Sequence, residues 1–206
     1  IVATDMVGFS RLIERDEADT LSRQKHHRVT LIDPAIHDCG GRIVKSTGDG
    51  LILVFDGLHD AVDFAVAIQT RMKEREADRY PENRIRYRIG IKIGDVMIDD
   101  GDVFGDAVNI AARPETLAEP GAVCLSEMAY QTLTGADAAR FSDLGLQHVK
   151  NIKRPVRVWQ WSAMVRVRNA PETVEQKIPF CTAPDGVQLA YSSVGSGPVV
   201  LKARTG

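Results

Sequence analysis

Apolar and polar positions change period repeatedly along the chain, which marks an alternation of helices and strands. Residues 1–4 form a short apolar run ending at Asp5, the profile of the last part of a buried strand. Leu21, Arg28, Ile32 and Ile36 then follow helical spacing as far as Gly40-Gly41, a helix stop. Residues 42–47 and 51–55 predict two strands around Gly48-Asp49-Gly50, hence a hairpin. Ala61, Ala65, Ile68 and Met72 recur every three or four positions and predict a second amphipathic helix. From 84 to 98 the apolar side chains alternate at Ile85, Tyr87, Ile89, Ile91 and Ile93, so a long strand is expected at a sheet centre or long edge.

Asp99-Asp100-Gly101 then turns the chain, and 107–117 reads as a helix. Strands at 123–125 and 156–161, with a small helix at 127–133 between them, complete the pattern. Helices and strands intermingle without a strict βα repeat. The expected fold class is therefore α+β, a sandwich with a mostly antiparallel sheet.

A length of 206 residues allows one full core and a short appendage. The division expected is a main domain over 1–165, a polar linker over 166–177 broken by Pro171, and a tail over 178–206. The tail is too short to fold alone, so it docks or opens a second domain. A net charge of −2 offers no basic field for nucleic acid or an acidic membrane, which points to small molecules or proteins as partners. No apolar run reaches the roughly 20 residues of a membrane helix. Cys39, Cys124 and Cys181 form no C-x-x-C pair, which fits a reducing, cytoplasmic setting, and the five histidines show no ligand spacing and are expected to be solvated.

The stretch KSTGDG at 45–50 has the residue types of a phosphate loop, but its Lys precedes the glycines and an apolar run follows, so it is no Walker A motif. Asp5 at a strand end and Asp49 at a hairpin tip are two places from which a carboxylate projects off rigid backbone. With Gly8 and a helix start nearby they suggest a hard-cation site, since magnesium takes one or two carboxylates and completes its shell with water and phosphate oxygens. Taken singly, Asp5 also reads as a helix cap and Asp49 as a turn former. Further along, DVFGDAVNIAAR at 102–113 sets Asn109 and Arg113 four apart on one helical face.

Together TDMVGFSRL, KSTGDG, GDVFGDAVNIAAR and LAEPGAVCLS resemble the catalytic domain of class III nucleotidyl cyclases over residues 1–161. The resemblance implies a ferredoxin-like α+β fold and a head-to-tail homodimer with active sites shared across the interface. It places two magnesium or manganese ions at Asp5 and Asp49, with Met6 beside them, and phosphates at the loop carrying Gly8, Phe9 and Ser10. It assigns the base to Lys45 and Asp102, the ribose to Asn109 and the developing phosphoryl charge to Arg113. A Lys donor with an Asp acceptor matches the adenine edge and mismatches guanine, so ATP is the expected substrate and cyclic AMP the product. The alternatives are a guanylyl cyclase, or a weak or inactive sensor or dimerisation module.

The second alternative arises from Pro114, which follows Arg113 where an apolar helix former is expected; proline in a helix interior costs about 3 kcal/mol. The tail, with T-x-x-DG-x-x-L-A-Y and G-x-GP, resembles the opening of α/β-hydrolase domains. The natural chain is therefore expected to continue into such a domain, and neither a nucleophile elbow nor a triad stands in these residues.

Overall fold

The computed structural model describes residues 1–94, 97–99, 102–104, 114–148, 155–163, 180–182 and 188–190. The chain divides into two compact units, Ile1–Val165 and Arg166–Gly206.

The first unit begins with strand β1 (Val2–Met6), helix α1 (Phe9–Arg15) and helix α2 (Glu17–His27). Asp16 caps α2, its carboxylate accepting from the Asp19 amide at 3.0 Å. A π-helical turn, Arg28–Ile32, joins α2 to α3 (Asp33–Asp38). In it the Asp33 amide reaches back five residues to the Arg28 carbonyl, a widened turn just before Pro34, which has no amide to donate. Gly40 ends the run at φ 67°, with the Gly40 and Gly41 amides closing on His37 and Ile36.

Strands β2 (Arg42–Ser46) and β3 (Gly50–Val54) form the expected hairpin, and α4 (Leu58–Arg75) the expected amphipathic helix. Then come β4 (Tyr87–Ile91), the hairpin β5 (Met97–Asp99) and β6 (Asp102–Phe104), and the helical turn α5 (Pro114–Leu117). Strand β7 (Ala122–Ser126), helices α6 (Glu127–Thr132) and α7 (Gly135–Ala139), and strands β8 (Ser142–Gln147) and β9 (Val156–Ser162) follow.

One sheet runs β2-β3-β1-β4-β7-β9-β8, antiparallel throughout except for the parallel pair β4 and β7. Its helix-side face carries Val2, Met6, Leu51, Leu53, Ile89, Ile91, Val123 and Leu125, which join Phe64, Ile68 and Met72 of α4 in the main core. Buried Gln69 ties the layers together, donating to the Tyr87 and Ala122 carbonyls at 2.9 and 2.8 Å. Among the described residues, the opposite face holds two small apolar clusters, around Ala3 and around Cys124. Asp5, between buried Thr4 and Met6 on β1, belongs to this second face.

Two expectations are corrected. The alternating stretch 84–98 is not one strand: β4 ends at Ile91, and 97–99 pairs with 102–104 in a separate hairpin. Alternation marked which residues face inward, but it does not specify which partner each half takes. His27 is not solvated: it is 4% exposed and its Nε2 lies 2.8 Å from Glu76 Oε1. No helix among the described residues is long and apolar enough to cross a membrane. In the second unit, β10 (Phe180–Thr182) and β11 (Gln188–Ala190) pair antiparallel.

Candidate active site

Asp5 and Asp49 meet where the end of β1 passes the β2–β3 turn. Asp5 pairs with Gly50 in the sheet register, and the Met6 amide donates to the Asp49 carbonyl at 3.1 Å. The turn itself is closed by the Thr47 amide on the Gly50 carbonyl at 3.0 Å, with Gly48 at φ 91°. Thr4 supports it from the neighbouring strand, its hydroxyl accepting from the Leu51 amide at 3.0 Å. Gln24 of α2 reaches across to donate to the Gly48 carbonyl at 2.6 Å. A Cβ at Gly50 would run into the Thr4 carbonyl oxygen, so the two strands approach as closely as only glycine permits. The acid is thus held from several sides by backbone that cannot shift independently.

The charges fit this closeness. Burial and the negative charge of Asp49 push the Asp5 carboxyl above its usual range, partly offset by Arg88. The Arg88 Nη1 lies 3.8 Å from Asp5 Oδ2, and the two residues are cross-strand partners. Sequence reasoning missed Arg88. Its outward alternation between Tyr87 and Ile89 was visible, but its neighbour depends on a register between strands more than eighty residues apart. Among the described residues no group of three or more His, Cys, Asp or Glu could hold a metal. The corner offers two carboxylates, a donor set that suits a hard cation completed by other oxygens.

The other predicted residues fall as follows. The Met6 side chain is buried in the core, so only its main chain can serve the corner. Gly8 stands exposed at φ 65° before α1, Phe9 packs against the core and Ser10 is exposed in the first turn. Lys45 lies opposite Ile52, which in turn faces Ala3, so Lys45 shares the outward face of the sheet with Asp5. Two strand spacings and two residues separate them, about 12 Å, the length of a nucleotide rather than of a hydrogen bond. Lys45 is exposed. Asp102 lies on β6 and pairs with Asp99. Asn109 and Arg113 lie outside the described residues, while Pro114 is the first residue of α5. The structure thus brings Asp5, Arg88 and Lys45 onto one side of the sheet, with Asp49 at the turn beside Asp5.

Residues 1–162 match the family of the adenylate and guanylate cyclase catalytic domain. The Rhizobium meliloti protein named "Putative adenylate cyclase 3" is 37% identical over 199 residues, covering 96% of this chain and 34% of that protein. An adenylate cyclase of Streptomyces coelicolor is 34% identical over 58% of this chain and 30% of its own length. The chain thus spans about a third of these relatives. Among solved structures, the adenylate/guanylate cyclase/hydrolase from Silicibacter pomeroyi is 52% identical, covers 78% of this chain and 94% of that one, and superposes with a TM-score of 0.67. A Trypanosoma brucei adenylate cyclase, solved in its monomeric state, is 25% identical over 77% of this chain and 87% of that one, with a TM-score of 0.63.

Proposed function

The chain belongs to the adenylate and guanylate cyclase catalytic domain family, and from that premise we propose that it converts ATP to 3′,5′-cyclic AMP and pyrophosphate at a site shared by two copies of the chain. The observation that carries this reading is the corner at which Asp5 and Asp49 are fixed side by side through the Met6 amide and the Gly50 pairing. Burial and the charge of Asp49 oppose ionisation of Asp5, and a divalent cation between the two carboxylates relieves that opposition. Hard oxygen donors suit magnesium or manganese, two per site, held by Asp5, Asp49 and the main chain of Met6. Bound there, the metals would favour ionisation of the ribose 3′-hydroxyl and neutralise triphosphate charge.

The residues of the chain do the rest. The segment with Gly8, Phe9 and Ser10 leaves the corner beside the position of the phosphates. Arg88, next to Asp5, adds a guanidinium where triphosphate charge would lie. Lys45, about one nucleotide length away, donates to adenine N1, and Asp102 accepts from the 6-amino group. The second copy supplies Asn109, which orients the ribose, and Arg113, which stabilises charge on the transferred phosphoryl group. With the metal corner on one copy and Asn109 and Arg113 on the other, the dimer is the active unit.

The test is a product assay on the purified chain with Mn²⁺ or Mg²⁺ and either ATP or GTP. Cyclic AMP from ATP, in excess of cyclic GMP from GTP, is expected. No cyclic nucleotide under any metal or protein concentration would remove the catalytic reading.

A further inference from the structure

Beyond the corner, Arg88 of β4 is preceded by Arg86 and Arg84 in the segment that leads into the strand. Arg86 and Arg88 flank buried Tyr87, and Arg84 lies two positions further back, its guanidinium held in the segment that follows α4. The Val7 amide donates to the Arg86 carbonyl at 2.8 Å, which puts Arg86 beside the segment leading from Asp5 into α1. From that segment Arg11 folds back: a Cβ added to Gly8 would lie 3.4 Å from both its Nε and its Nη2.

The charges of this group are poorly compensated. Arg88 has Asp5 at 3.8 Å, and Arg84 is pinned to the Arg79 and Ala77 carbonyls at 2.8 and 2.7 Å. Arg11 and Arg86 make no hydrogen bond or ion pair among the described residues, and the Nε atoms of Arg86 and Arg88 are buried without a partner. Burial, then the like charges of Arg11, Arg84 and Arg88, disfavour the charged form of Arg86. A guanidinium kept in such company gains most from a polyvalent anion, which it can meet with paired hydrogen bonds.

We propose that Arg86 and Arg11 form a polyphosphate-binding extension of the Asp5–Asp49 corner that takes up pyrophosphate as it leaves the reaction site. This rests on the cyclase reading, in which the ribose 3′-oxygen gives its proton to solvent and bonds to the α-phosphorus as the bond from that phosphorus to its bridging oxygen breaks, releasing pyrophosphate beside Arg88. Arg86 stands two positions before Arg88, beside the segment from Asp5 into α1, and with Arg11 its positive charge complements that of the leaving group.

The experiment uses the whole chain and its Arg86→Gln, Arg11→Gln and Arg86→Lys variants, each checked by thermal melting. Two readouts are taken: pyrophosphate inhibition of cyclic AMP formation, and calorimetric binding of pyrophosphate with Mg²⁺. Losing one charge-assisted contact should raise the inhibition constant about 10-fold, more than it raises the KM for ATP, and Arg86→Lys should recover part of it. Arg11→Gln, at an exposed position, should act in the same direction even if Arg86→Gln unfolds the domain. Unchanged inhibition and binding in both Gln variants would overturn the proposal. So would weakened dimerisation with pyrophosphate binding intact, which would assign the arginines to a contact between subunits. If the wild type makes no cyclic AMP yet binds pyrophosphate in an Arg86-dependent way, the anion site stands and the catalytic reading falls.

Discussion

The Met6 amide donates to the Asp49 carbonyl at 3.1 Å, so the strand bearing Asp5 and the turn bearing Asp49 are one mechanical unit. What keeps them together is the absence of a side chain at Gly50, where a Cβ would strike the Thr4 carbonyl oxygen. Gly50→Ala should therefore push β1 and β3 apart, destabilise the domain by about 1–3 kcal/mol and abolish metal-dependent turnover. Gly48→Ala meets nothing within 4 Å and has only its φ of 91° against it, a cost of about 1–2 kcal/mol. Thermal unfolding compared with metal titration separates the two: activity should survive better at Gly48 than at Gly50.

Asp5 gives a prediction whose sign depends on pH. Burial and Asp49 raise its pKa in the folded chain above the ordinary 3.8. The folded state is thus favoured while this carboxyl is protonated, and loses stability as pH rises from 3.8 through the raised value. At pH 7 without divalent metal, Asp5→Asn should melt higher than the wild type. The partly exposed position limits the gain to at most about 1 kcal/mol, or about 2–4 °C. Mn²⁺ should raise the melting temperature of the wild type and leave that of Asp5→Asn unmoved.

Glu76 behaves in the opposite sense. Burial pushes its carboxyl up, but the His27 hydrogen bond, the Ile85 amide and the charge of Arg23 outweigh this and hold it below the ordinary 4.5. Its contribution is present above pH 4.5 and lost as pH falls below it. Glu76 is 3% exposed, with His27 and Arg23 each at 2.8 Å. Glu76→Gln should cost about 3 kcal/mol at pH 7 and flatten the acid side of the stability profile, measured by urea unfolding between pH 3 and 7.

What the sequence revealed followed the range of each interaction. The β2–β3 hairpin and Asp49 at its tip were legible because glycine turn chemistry is local, as was α4 with its periodic Ala61, Ala65, Ile68 and Met72. The pairing of Asp5 with Arg88 was not, because register between distant strands is set by the packed sheet and leaves no local mark. His27 looked solvated for the same reason: its partner Glu76 lies 49 positions away. Asn109 and Arg113, outside the described residues, rest on their motif.

Base choice is tested at Lys45. Lys45→Glu reverses the donor offered to the purine edge, so the ratio of cyclic AMP to cyclic GMP formation should fall by about 10-fold or more. An unchanged ratio in competition assays with ATP and GTP would place the base elsewhere.

The central claim is that the Asp5–Asp49 corner is half of a catalytic site completed by a second copy of the chain. Mixing Asp49→Ala chains with Arg113→Ala chains, each inactive alone, tests it most directly. Half the dimers should be mixed and carry one intact site of two, so cyclic AMP formation should return to about a quarter of the wild-type rate. A mixture as inactive as its components, with mixed dimers demonstrated, would contradict the account.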